Sequence, residues 1–371
     1  MKDAKRYHRI KRALLFTGLG INLSALAFFQ FSGLSAVLKN TTTQVFSGKL
    51  LHDSAYLVCF FTALTLLSLP VEFFSGFAVE KRFKQSNQTL AAWFWDRLKE
   101  YGLSLVLFLF AVEFFFLLIV KFPKSWWFLA GAGWLALSAL LSCILPTILV
   151  PIFYKTKALP PGELKERLVE LCRKNHLRAL EVYEIALSQK TQKANAALVG
   201  MGKTRRILLG DTLIRNFAVE EIEMVVAHEL GHQVKKHIAK SLFFNGVIVF
   251  SGLYLLYRLS ASVIGAFGGG GLTDLAIFPA LVLLASWAAL LILPLQNAFS
   301  RHLETKADQF ALSLFPSRDI FNSTMKKLGT QNLADAQPHP AIEFLLHDHP
   351  SLARRMRQAS LFLDEIERRG A

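Results

Sequence analysis

Residues 225–232 read Val225-Val226-Ala227-His228-Glu229-Leu230-Gly231-His232, an H-E-x-x-H pattern. Residues four apart share one face of a helix, so His228 and His232 are expected to point at a single metal ion. Glu229 sits on the adjoining flank and is expected to face water on that ion. Catalytic zinc takes neutral imidazoles, a third protein ligand and one open position, where water is polarised for attack on a carbonyl. Glu229 is expected to take that water's proton and deliver it to the leaving amine.

A second stretch completes the set. Glu304-Thr305-Lys306-Ala307-Asp308 is E-x-x-x-D, again spaced by one helical turn. Glu304 is the expected third ligand, giving the His₂Glu set of a catalytic zinc. Asp308, one turn further on, is expected to accept the free ring N–H of a ligand histidine and fix its tautomer.

The rest of the chain belongs to a membrane protein. Of 371 residues 53% are hydrophobic, 32 are Phe, and the mean hydropathy is +0.37. The apolar residues fall in blocks long enough to cross a bilayer, which takes about 20 residues. Six spans are expected, near 13–38, 55–79, 101–120, 126–154, 241–263 and 275–299. The N-terminal block is too long for a signal-peptide core and reads as a retained span. Pro70 and Glu72 interrupt the second span, Glu113 lies in the third, and Pro146 and Pro151 are expected to kink the fourth. Both glutamates are candidates to line an interior cavity. Trp93–Lys99 sets aromatics beside cations, as in a helix lying at the interface. Cys59, Cys143 and Cys172 form no C-x-x-C and are expected to be buried and inert.

Residues 155–240 have a different texture. A helix is expected over 164–175, a strand over 180–185, and a hairpin of strands 193–199 and 205–209 around residues 200–204. Asp211 is expected to cap a short helix, and the metal-motif helix to start near Val219 and run straight into the fifth span. Gly268–Gly271 reads as a turn between spans. The fold class is therefore mainly α: a polytopic membrane helix bundle of about six spans with a small α+β zinc-protease domain at the cytoplasmic face. Its regions are 1–154 (four spans), 155–240 (the protease segment), 241–300 (a two-span hairpin) and 301–371 (the E-x-x-x-D helix and a C-terminal segment).

Charge sets the expected orientation. The net charge is +15, and 37 of the 42 Lys and Arg fall in 1–12, 80–100, 154–240 and 300–371, which six spans place on one side. Positive residues mark the cytoplasmic side, so the basic balance implies a bilayer and no nucleic acid. Glu304 lies five residues past Phe299, about 7–8 Å of helix. His232 lies eight residues before Lys240, about 12 Å. The metal is thus expected at the cytoplasmic membrane surface, of the inner membrane in a bacterium or the endoplasmic reticulum in a eukaryote.

Taken together, these motifs resemble the integral-membrane zinc metalloproteases of the type I CAAX prenyl protease family. Pro151-Ile152-Phe153-Tyr154, Lys193-Ala194-Asn195-Ala196, Ile207–Leu213 and His349-Pro350-Ser351-Leu352-Ala353-Arg354-Arg355 resemble further family elements. The resemblance implies one zinc ion held by His228, His232 and Glu304, with Glu229 as general base and acid. It implies that Asn195 and Ala196, at an edge strand, hold substrate backbone. It also implies that His349 donates to the oxyanion of the tetrahedral intermediate while Arg355 braces that site. His339-Pro340 competes with His349-Pro350, but only His349 has an arginine, Arg355, six residues on. His237 and His347 read as ordinary surface histidines. The eukaryotic members have seven spans around a large wet chamber, so six spans imply a reduced N-terminal region.

The expected activity is zinc-dependent endoproteolysis of CAAX-type C-terminal or other membrane-associated polypeptides. A heat-shock-type quality-control protease is the alternative within that class. A transporter or scaffold with a structural zinc is the alternative of another class; the intact Glu229 speaks against it, because a structural site needs no base.

Overall fold

The computed structural model describes residues 2–144, 148, 150–177, 181–200 and 205–370. Its membrane part opens with α1 (Lys2–Phe31), α2 (Leu34–Val45) and α3 (Lys49–Phe73), which continues through a π-helical turn, Phe74–Ala78, into α4 (Val79–Arg82). α5 (Leu90–Lys121), α6 (Trp126–Ile144) and the single turn α7 (Val150–Phe153) follow. The protease segment comprises β1 (Thr156–Ala158), α8 (Glu163–Lys174), β2 (Glu181–Ile185), β3 (Ala196–Val199), β4 (Arg206–Gly210), α9 (Asp211–Asn216) and α10 (Val219–Val234). Then come α11 (His237–Phe267), α12 (Phe278–Leu314), α13 (Arg318–Gln331), α14 (Pro340–Leu346) and α15 (Leu352–Gly370).

Among the described residues, five helices are long and apolar enough to cross a membrane: Asp3–Phe31, Lys49–Arg82, Leu90–Lys121, His237–Phe267 and Leu275–Leu314. The apolar stretch at Trp126–Ser142 is shorter, and the chain beyond α6 passes through residues outside the description, Pro146 among them. The first span does not reach Leu38. It ends at Phe31, where Gly33 at φ 80° turns the chain. At 12 residues α2 is about 18 Å long, too short to cross. It packs instead against the turn between α11 and α12, with Ser35 Oγ donating to the Leu275 carbonyl (3.0 Å) and Lys39 Nζ to Asp274 (2.6 Å).

Several local expectations change for clear reasons. Trp93–Lys99 is not a separate helix. It is the first part of α5, whose start Thr89 Oγ1 caps by accepting the Ala92 N–H. Trp93 and Asp96 are buried there, Asp96 accepting from Lys190 (2.5 Å) and Gln88 (2.6 Å), whereas Phe94, Trp95 and Leu98 stay exposed. Glu72 is exposed and lines two clefts beside α3, whereas Glu113 is half-buried and accepts from Ser54 Oγ at 3.0 Å. Cys172 is buried as expected, Cys59 is exposed on the membrane helix α3, and the Cys143 side chain lies outside the description. Asp211 is the first residue of α9 and no cap. Its buried carboxylate accepts from the Ser188 N–H (2.8 Å) and the Ser188 hydroxyl and pairs with Arg215.

The strands form one sheet in the order β1-β2-β4-β3. β2 and β4 run parallel, while β1 and β3 pair antiparallel on either side, leaving β3 at the edge. β3 and β4 pair antiparallel as expected, though the first strand starts at Ala196 rather than at Lys193; residues 201–204 lie outside the description. Val182, Ile207 and Leu209 from the sheet meet Ile222, Val226 and Leu230 of α10 and Leu168 of α8 in one core.

α10 is fixed at its start by Glu221, which accepts the Ala218 N–H (2.8 Å), Ser323 Oγ (2.7 Å) and Lys327 Nζ (2.6 Å), so one carboxylate caps the helix and ties it to α13. Apolar residues at 222, 226 and 230 give it a buried stripe at helical spacing. Its other contact is with α12, and that contact is close: a Cβ on Gly231 would meet Ala307 Cα at 3.1 Å and the Ala307 carbonyl oxygen at 3.2 Å. Two small residues therefore let the helices that carry His228, His232 and Glu304 touch backbone to backbone.

α10 does not run straight into α11. The helix stops at Val234, and Lys236 adopts the left-handed conformation (φ 55°, ψ 41°) before α11 starts at His237. α12, by contrast, is unbroken for 37 residues and carries Glu304 as expected. Asn332, at the end of α13, closes one end of the sheet edge: its side chain accepts the Ala194 N–H (2.8 Å) and donates to the Ala194 carbonyl (3.2 Å).

Candidate active site and metal centre

The contact of α10 with α12 brings three side chains together. The ligand atoms of His228, His232 and Glu304 all lie within 4.8 Å of one another. His228 Nε2 is 3.2 Å from Glu304 Oε2, and His232 Nε2 is 3.4 Å from Glu304 Oε1 and 3.1 Å from His228 Nε2. Glu304 Oε2 is buried and accepts no hydrogen bond. A buried carboxylate oxygen without a donor, facing two imidazole nitrogens, is the donor set a divalent cation completes. The residues present therefore fit a metal ion.

Behind the three lies a row of partners. Asp308 Oδ1 is 2.8 Å from His228 Nδ1, and Arg355 holds the same carboxylate with both Nη2 (2.6 Å) and Nε (2.8 Å). That bidentate grip fixes the carboxylate plane and so the His228 ring. His349 Nε2 lies 3.3 Å from Glu304 Oε1, and its Nδ1 is 2.9 Å from Asp348 Oδ1. The bond to Asp348 raises the His349 pKa above its ordinary value. Burial pushes the Glu229 carboxyl up, with His228 opposing, which moves it towards the pH at which it can exchange a proton. Burial, then the charge of His228, lowers His232 to about 4.

A cavity of about 630 Å³ opens on these groups. Leu198 and Val199 of the edge strand wall one side, Ser241 and Asn245 of α11 another, and Trp134 and Ser138 of α6 reach it from the membrane helices. Ala197 also lines it, whereas Ala196 is buried in the core beneath the sheet. Asn195 is exposed immediately before β3, and its carbonyl accepts the Gly210 N–H at 2.9 Å. His339 is remote in role as well as sequence: its Nδ1 accepts the Ala341 N–H and caps α14.

Two features escape the motif reading. His237 is no surface residue but is 3% exposed, with Nδ1 3.1 Å from His232 Nδ1. His347 is half-buried, and its carbonyl accepts from Arg301 Nη1 at 2.6 Å. Arg301 also donates to the carbonyls of Glu343 (2.9 Å) and Phe344 (3.3 Å), and Asn297 Nδ2 to that of Leu345 (2.7 Å). Together they pin the segment that delivers His349.

Comparison with known proteins agrees with this geometry. The profile described as peptidase family M48 matches residues 158–361. The chain belongs to peptidase family M48. A second profile, CAAX prenyl protease N-terminal with five membrane helices, matches residues 1–155. The chain is 29% identical over 360 residues to the uncharacterized metalloprotease YhfN of Bacillus subtilis, covering 96% of this chain and 84% of that one. It is 28% identical over 312 residues to CAAX prenyl protease 1 of Saccharomyces cerevisiae, covering 79% and 68%. The fold is that of the crystal structure of S. mikatae Ste24p, with a TM-score of 0.86 at 22% identity over 96% of this chain and 88% of that one. This M48 member is accordingly a multi-pass membrane metalloendopeptidase of the CAAX prenyl protease type, and the transporter or scaffold alternative falls away. The M48 family implies a metal, and the His228, His232 and Glu304 cluster is where this chain could hold it.

Proposed function

We propose that the protein binds one zinc ion through His228, His232 and Glu304 and cleaves flexible or membrane-anchored polypeptides, CAAX-type C-terminal segments among them, at the cytoplasmic face of its membrane. The observation that carries this reading is the division of the ligand set: two ligands stand on a helix of the protease segment and one on a helix that is also a membrane span. Contacts of His8 with Leu333, Arg12 with Asp335, and Lys11 and Lys193 with Glu80 gather the basic segments beside the protease segment, and their excess of Lys and Arg supports the orientation.

A bound zinc ion supplies Lewis acidity towards water and the scissile carbonyl. The chain's own groups do the rest. Glu229 takes a proton from the attacking water and gives it to the leaving amine. The His349 Nε2–H donates to the carbonyl oxygen as that oxygen gains charge, an interaction strongest in the transition state. Asp308, held by Arg355, keeps His228 in the tautomer that leaves Nε2 free. An extended substrate lies along β3, where Asn195 and Ala196 mark the start of the edge and Ala197 to Val199 border the cavity.

The test presents one cleavable sequence as a loose peptide, as a tail tethered to the membrane, and inside a stable soluble domain. The first two are expected to be cut and the third spared, with Glu229→Gln retaining zinc while losing turnover on the order of 10²–10⁴-fold. Rapid cleavage of the folded domain without prior unfolding would overturn the membrane-gated reading. Preferential cutting of unfolded membrane proteins over CAAX-type tails would favour quality control.

A further inference from the structure

The two metal-motif histidines have different partners on the side away from the metal. His228 turns its Nδ1 to the carboxylate of Asp308. His232 turns its Nδ1 to the Nδ1 of His237, 3.1 Å away, with the two rings at 83° and their centroids 4.9 Å apart. In an unbroken helix, residue 237 would stand five positions past His232, about 140° around the axis, and could not reach it. The left-handed turn at Lys236 folds the chain back and makes the contact. Lysine gains nothing from that conformation, which side chains other than glycine seldom adopt.

An imidazole that faces a metal through Nε2 carries its proton on Nδ1 and needs an acceptor there. We propose that His237 is the positioning residue for His232: its Nδ1 accepts the His232 Nδ1–H and fixes the tautomer and plane of that ring. The inference rests on reading His228, His232 and Glu304 as the metal ligands. It requires a neutral His237 with its own proton on Nε2. That nitrogen is buried and has no hydrogen-bond partner among the described residues. A buried unsatisfied donor calls for a reason, and the bond made by the opposite nitrogen supplies it. The acceptor is a neutral ring where His228 has a carboxylate, so His232 is the less strongly polarised of the two ligands.

The test uses the full chain, purified in detergent, with zinc affinity read by competition against a chromogenic chelator. His237→Leu and His237→Asn are close in size, but only asparagine offers an acceptor near the Nδ1 position. Leucine is expected to weaken zinc binding by about 10–100-fold, and asparagine to restore it to within a few-fold of the wild type. The thermal midpoints of the metal-free proteins are expected to be alike for the two variants. Equal affinity of His237→Leu and wild type overturns the proposal, as does equal loss in both variants. His237→Ala replaces leucine if that variant does not fold. If His232→Ala binds zinc as tightly as wild type, the ligand assignment itself has failed, an outcome distinct from either result at His237.

Discussion

The two helices that bring His228, His232 and Glu304 together are tied to the membrane spans in different ways. α12 runs without a break from Phe278 to Leu314, so Glu304 is held by a rod that is also a span. α10 is separated from its neighbouring span by the turn at Lys236, and its apolar stripe is buried in the core of the protease segment. The histidines are thus positioned by soluble-type packing and the glutamate by a membrane helix. The centre exists only where Gly231 and Ala307 let these two supports meet.

The largest expected effect comes from removing the membrane-borne half. Glu304→Ala, or the segment 155–240 expressed alone, is expected to hold no stoichiometric zinc and to cleave nothing above background. Metal analysis of the purified protein checks this, and a full equivalent of zinc in Glu304→Ala would dissolve the contrast between the two supports.

A smaller effect is expected where they touch. Gly231→Val pushes a branched side chain against the Ala307 backbone, which has no flexible end to move aside. A loss of about 1–3 kcal/mol in stability is expected, as for overpacking elsewhere, with weaker zinc binding because Glu304 is displaced from the histidines. Thermal unfolding with and without zinc separates the two contributions.

The smallest effect sharpens the comparison at the turn. Lys236→Gly removes the side-chain cost of φ 55° but adds backbone freedom to the unfolded chain, so a change within about 1 kcal/mol is expected, with zinc affinity retained. Lys236→Pro cannot adopt a positive φ and is expected to lower both stability and zinc affinity. Equal behaviour of the two variants would mean that the break has no part in placing His237.

Much of this site was legible in the sequence because its key residues obey helical spacing. His228 and His232, and Glu304 and Asp308, are one turn apart, and the structure sets both pairs at one centre. The same periodicity held more than was read from it. Asn297, Arg301, Glu304 and Asp308 are spaced by four, three and four residues, a polar stripe on one face of a largely apolar helix, and all four are buried. His237 was illegible for the opposite reason. Its role depends on a single left-handed residue, and lysine at 236 gives no local signal for one. The early end of α1 was hidden by composition, since residues 34–38 remain apolar enough to extend a span while Ser32-Gly33 turns the chain.

The clasp of Asn332 on Ala194 also sets a measure along the sheet edge. Asn195 bonds across to Gly210, so in the antiparallel ladder residues 194, 196 and 198 turn their backbone groups outward. Asn332 already occupies both groups of Ala194, and Gln233 Nε2 donates to the Leu198 carbonyl at 3.2 Å. An arriving strand therefore finds Ala196 open and must displace Gln233 to use Leu198 in full. Under the edge-strand binding proposed above, so short a ladder would align a polypeptide without gripping it, and residence time would come from whatever anchors the rest of that polypeptide nearby.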